Sequence, residues 1–109
     1  MSEIFWTDPV AFEKHTAETY NYKFNFTDYL PDSATIASAA VTAYDLSTSE
    51  AVTSVLSGSA TVTDSSLKVR QLIQGGSAGK TYVLRCTATL STSEVLVLCT
   101  KMYVADELM

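Results

Sequence analysis

From Thr19 onward, apolar and aromatic residues alternate in twos, and Val, Thr, Tyr and Phe dominate. That is the pattern of pleated, half-buried strands, and the three-to-four-residue stripe of a packed helix is missing. Tyr20, Tyr22, Phe24 and Phe26 share one face of a first strand, with Asn21, Lys23 and Asn25 on the other. Pro31 and Asp32 then supply a turn, because Pro fixes its own φ and Asp bonds the backbone that follows. A second strand is predicted over 35–44, placing Ile36, Ala40 and Tyr44 on one face and Ala37, Ala39, Val41 and Ala43 on the other. Three shorter strands follow at 51–56, 60–63 and 67–73, broken by Ser57-Gly58 and by Asp64-Ser65-Ser66. In the last of them Leu67, Val69 and Ile73 alternate with Lys68, Arg70 and Leu72.

Residues 74–79 hold three of the four glycines and form the strongest loop signal in the chain. Strands at 81–90 and 95–104, joined through Ser91-Thr92-Ser93-Glu94, read as a terminal hairpin. About seven strands with turns roughly every 8–12 residues predict an antiparallel immunoglobulin-like β-sandwich. The expected organisation is an N-terminal arm over 1–18, a sandwich domain over 19–105 and a short acidic tail over 106–109.

The arm carries the chain's single Trp. Asp8 as an N-cap with Pro9 at the first helical position would open a short helix, and an extended arm fits the same residues. Aromatic residues are enriched at the centres of interfaces, which makes Ile4, Phe5, Trp6, Asp8 and Pro9 candidate interaction residues. The competing reading is that Phe5 and Trp6 cover one end of the core.

Size and charge narrow the function. A chain of 109 residues is one domain, able to bury roughly 65% of its unfolded surface without disulfide staples. The net charge of -5 and the scattered basic residues argue against nucleic acid, whose binding depends on clustered Lys and Arg. No apolar run approaches the ~20 residues of a membrane-spanning helix, and the N-terminus lacks a signal peptide's basic and apolar regions. The expectation is a soluble protein made in the cytosol, without a membrane partner.

Candidate chemistry is sparse. Gly75-Gly76-Ser77-Ala78-Gly79-Lys80-Thr81 ends like a phosphate-binding P-loop, but Gln74 stands where the first Gly belongs and a strand follows the Lys where a helix is needed. The string reads as a turn in which Gly supplies positive φ. His15, the only histidine, reads as a surface residue, and the dispersed carboxylates show no calcium-loop spacing. The expectation is therefore no enzyme, no catalytic residue, no metal and no cofactor.

Cys86 and Cys99 fall in the predicted terminal hairpin, and two registers are open. If Leu90 pairs with Val95, Cys86 stands opposite Cys99 and a cross-strand disulfide becomes feasible. If Leu90 pairs with Glu94, Cys86 faces Leu98 and Cys99 turns to the other face beside Arg85. Assembly in the cytosol favours two free thiols.

Two segments carry a resemblance. One is Asp28-Tyr29-Leu30-Pro31-Asp32-Ser33-Ala34-Thr35-Ile36, preceded by Trp6-Thr7-Asp8-Pro9; the other is Gly75-Gly76-Ser77-Ala78-Gly79-Lys80-Thr81-Tyr82. Together they resemble the small immunoglobulin-like virion proteins of tailed bacteriophages described as fiber-tail adaptors. Ala34 replaces a frequent acidic residue of that group, Leu72 and Ile73 replace an aromatic, and Ser91-Thr92-Ser93 replaces a Gly-containing turn. The resemblance implies a non-enzymatic structural subunit present in many copies, synthesised in the bacterial host cytoplasm and docked between larger virion proteins. An adaptor or connector in the tail or neck is the leading expectation and a capsid decoration protein the alternative. A carbohydrate- or host-surface-binding module is a reading of another class, distinguished by whether Trp6, Tyr20, Tyr22, Tyr44, Tyr82 and Tyr103 line a groove; by alternation most point inward.

Overall fold

The computed structural model describes residues 2–6, 12–16, 18–31 and 33–105, with backbone alone at 2–6, 12 and 28. Nine strands are present among them: β1 Ser2–Trp6, β2 Phe12–His15, β3 Tyr20–Asn25, β4 Ile36–Asp45, β5 Ala51–Val52, β6 Leu56–Thr63, β7 Lys68–Ile73, β8 Thr81–Leu90 and β9 Val95–Ala105. One sheet runs β3-β7-β6 and the other β1-β9-β8-β4-β5, with β2 also paired to β9. In immunoglobulin lettering, β3, β7 and β6 are strands B, E and D, while β9, β8, β4 and β5 are G, F, C and C′. The predicted all-β sandwich is the observed fold, with its core strands antiparallel.

The core lies between the sheets and is built by simple alternation. On β8, Tyr82, Leu84, Cys86, Ala88 and Leu90 are buried; their register partners on β9 include Met102, Thr100, Leu98 and Leu96, also buried. Val69, Gln71 and Ile73 of β7 face them from the smaller sheet together with Phe24 of β3. Phe24 and the adjoining Phe26 have no exposed surface, so each contributes about 2–3 kcal/mol of apolar burial. The aromatic row predicted for β3 grades from solvent to core: Tyr20 is 48% exposed, Tyr22 half-buried and Phe24 buried.

Two irregularities separate the strands from their sequence pattern. The pairing of β4 with β8 shifts between Ile36 and Ser38, a bulge that puts Ile36 on the same inward face as Ala39, Val41 and Ala43. Ala40 and Tyr44 therefore do not share a face with Ile36. The expected break at Ser57-Gly58 is instead an irregularity within β6, where pairing with β7 shifts between Ser57 and Thr61. The buried Gln71 amide holds that irregularity, donating to the carbonyls of Ser57, Gly58 and Leu72 at 3.3, 3.2 and 3.0 Å. A buried amide and freed backbone carbonyls thus satisfy one another.

The segment expected as an arm contains strands. Ser2–Trp6 and Phe12–His15 run parallel to β9, with Ser2 beside Val95 and His15 beside Ala105. The helical alternative fails at 12–15, where the free edge of β9 offers a full ladder of backbone partners. Asp8 and Pro9, on which that alternative rested, lie outside the described residues, as does the tail over 106–109.

Candidate interaction surface

The β8–β9 ladder adopts the register in which Cys86 faces Leu98 and Arg85 faces Cys99. The connection sets it: Leu90 N–H donates to the Glu94 carbonyl at 2.8 Å, and Ser93 closes the turn with φ +74°. A three-residue loop with a left-handed last residue matches the twist of the flanking strands. Cys86 therefore points into the core and Cys99 to the opposite face of the sheet, and both are buried thiols outside any disulfide. Burial pushes the Cys86 thiol up to about 12, with the nearby Cys99 adding to the rise.

With that register fixed, the outward face of the larger sheet is defined. Tyr44, Val83 and Lys101 form one cross-strand row, and Thr42, Arg85 and Cys99 the next. The Arg85 guanidinium lies over the Tyr44 ring, 5.3 Å from its centroid. A groove of about 300 Å³ opens beside them, lined by Tyr44, Asp45, Leu46, Ser49, Val83 and Arg85.

The end of β4 is tied to the glycine loop. Asp45, nearly buried, accepts from Lys80 Nζ at 2.8 Å and from Ser47 N and Oγ at 2.9 and 2.7 Å. These bonds hold its carboxyl down at about 2 and raise the Lys80 ammonium above its ordinary value. The string Gly75–Thr81 runs straight into β8, and its lysine is engaged by Asp45. On β2, the buried Lys14 reaches the same loop, its Nζ donating to the Gly75 and His15 carbonyls at 2.7 Å each. Desolvation lowers the Lys14 pKa. His15 is half-buried beside it, its backbone N–H donating to Glu18 at 2.8 Å.

Of the sequence-predicted interaction residues, Ile4, Phe5 and Trp6 lie in β1 with backbones paired to Val97, Leu98 and Cys99. Asp8 and Pro9 fall outside the described residues. Of the tyrosines named for sugar stacking, Tyr82 is buried, Tyr22, Tyr44 and Tyr103 are half-buried and Tyr20 is exposed. Arg85 and Leu46 were not singled out from sequence; Arg85 comes beside Tyr44 only through the pairing of β4 with β8 beyond the bulge. Among the described residues, no group of His, Cys, Asp and Glu could hold a metal ion, and no helix is long and apolar enough to cross a membrane.

Two stacked sheets with this strand order define an immunoglobulin-like β-sandwich. The family model for podophage GP4 fiber-tail adaptor protein gp77 matches residues 14–102, and the chain belongs to that family. It is a phage tail adaptor-type component of the virion. No curated protein matches it.

Proposed function

We propose that the chain is a non-enzymatic adaptor that joins larger components of the phage tail or neck and is present in several copies in the particle. The observation that carries this reading is the family match over residues 14–102. The fold is compatible with it: β1 is the outermost strand of the larger sheet, and strand edges are surfaces on which another chain can add. Ile4, Phe5 and Trp6 of that strand, together with Asp8 and Pro9, are proposed as contact residues. Repeated copies of one interface close naturally into a ring, the geometry an adaptor between cylindrical parts requires.

The test has two arms. Light scattering over a range of concentrations compares the full chain with one lacking residues 1–8, circular dichroism confirming that both fold. Antibody labelling of purified particles then locates the protein. An oligomer that falls to monomer on deletion, with label at the tail or neck, supports the reading. Label spread over the capsid surface would replace it with a decoration role, and absence from the particle would overturn both.

A further inference from the structure

The outward residues of β4, β8 and β9 carry two charges, Arg85 and Lys101, both positive, in a chain of net charge -5. Lys23–Asp64, Lys68–Asp64 and Lys80–Asp45 are ion pairs among the described residues, and Arg85 is in none of them. The Arg85 Nε is buried and has no hydrogen-bond partner among those residues. No hydrogen bond or ion pair engages the rest of the guanidinium among the described residues either, so its Nη donors, not the shielded Nε, are the ones left for an acid from outside the chain. The acid in the groove lining does not take them: Asp45 is engaged by Lys80 and by both Ser47 donors.

The rest of the groove is built for contact. Tyr44 backs the guanidinium plane, and Val83 and the 46% exposed Leu46 give the groove apolar lining. Tyr and Arg set beside an apolar wall are the composition of interface hot spots, and the guanidinium fork matches a carboxylate in two bonds at once. About 300 Å³ gives room for one acidic side chain and an apolar neighbour.

Building on the adaptor reading, we propose that this groove is a docking site for a short acidic segment of another virion protein, an Asp or Glu flanked by apolar residues, with Arg85 as its anchor. A second copy of this chain is a poorer occupant because two molecules of net charge -5 repel. A nucleic-acid backbone would need more clustered cations than this face carries.

The test uses the isotopically labelled full chain in solution NMR, with acetyl-Leu-Glu-Leu-amide as the probe and acetyl-Leu-Gln-Leu-amide and inorganic phosphate as controls. The acidic peptide should shift the Arg85 Nε–H signal and the Tyr44, Leu46 and Val83 amides saturably. The Gln peptide should bind at least about tenfold more weakly, as should the acidic peptide to Arg85→Gln, because the charge-assisted fork is lost. Arg85→Lys should keep part of the affinity, and an otherwise unchanged amide spectrum shows that each variant is folded. The proposal is overturned by no saturable shift, by equal binding of the Gln peptide, by shifts elsewhere, or by phosphate reproducing them. Concentration-dependent shifts of the same signals without peptide would assign the groove to a second copy, which also overturns it. A chain that ignores the peptide but is labelled at the tail sinks the groove alone; one that binds the peptide but is absent from the tail keeps the groove and sinks the adaptor reading.

Discussion

The Tyr82 hydroxyl accepts a hydrogen bond at 3.0 Å from the backbone N–H of Ser77, five residues earlier in the chain. Tyr82 is buried at the start of β8, and the bond folds the glycine loop back onto the strand that it precedes. This is the tyrosine corner of immunoglobulin-like sandwiches, made here without the disulfide of antibody domains. Tyr82→Phe keeps the buried ring and removes the acceptor. Ser77 is exposed, so its amide can turn to water, and the cost should be about 1 kcal/mol. Urea unfolding checks it: the midpoint should fall with an unchanged slope.

Gly76 lies in the same corner at φ +94°, and a Cβ there would come within 2.7 Å of Val104 Cγ2. Gly79 is also left-handed, at φ +83°, but has nothing within 4 Å. Both alanine variants should suffer backbone strain of about 1 kcal/mol, whereas Gly76→Ala adds a clash worth a further 1–3 kcal/mol or so. Thermal unfolding of the pair separates the two effects. Equal losses would mean that β9 yields around Val104 without cost.

Alternation made the strands of the sandwich legible, because β7 and β8 bury one face and expose or half-expose the other, whereas β9 also buries Val97, Cys99 and Ala105 on its outward face. Where the chain departs from strict alternation, the sequence was silent. The bulge after Ile36 reverses the face of the rest of β4, and composition offers no sign of it in a run of Ala, Ser and Thr. Ser57-Gly58 carries a turn signal, yet the strand continues because Gln71, distant in sequence, supplies donors to the displaced carbonyls. The segments β1 and β2 owe their conformation to the edge of β9, a tertiary cause that no local pattern records. The groove inherits these difficulties, since Tyr44 and Arg85 meet only once the bulge has set the face of β4 and its pairing with β8.

The register of β8 on β9 rests on Ser93, which closes the loop between them with φ +74°. Glycine reaches this region without the Cβ conflict that a serine meets there. Ser93→Gly should stabilise the protein by roughly 0.5–1 kcal/mol, the relief of strain exceeding the added freedom of the unfolded chain. Denaturant titration gives the number, and amide exchange of Leu90 reads the effect locally through its bond to the Glu94 carbonyl. A destabilised variant would show that Ser93 contributes something beyond its backbone shape.

Asp45 makes acid stability a sharp test of how the turn after β4 is held. Its carboxyl sits at about 2, against 3.8 for an unhindered aspartate, chiefly because of the bond from Lys80 and then those from Ser47. Between these two values the unfolded chain takes up a proton that the folded chain refuses, so stability falls as pH falls. The contribution is fully present above pH 4 and is lost on acidification through about pH 2. Asp45→Asn cannot titrate, so its stability should lie below the wild type at neutral pH, and the two curves should converge as the pH approaches 2. Taking the difference between the proteins cancels Asp64, whose carboxyl is also lowered, first by the bond from Lys23. At the alkaline end the raised Lys80 predicts a second loss, as the pH climbs through its folded value and the ammonium gives up its proton. Urea midpoints at half-unit pH steps measure both limbs, and parallel curves for the two proteins between pH 4 and 2 would show that the Asp45–Lys80 bond does not survive in solution.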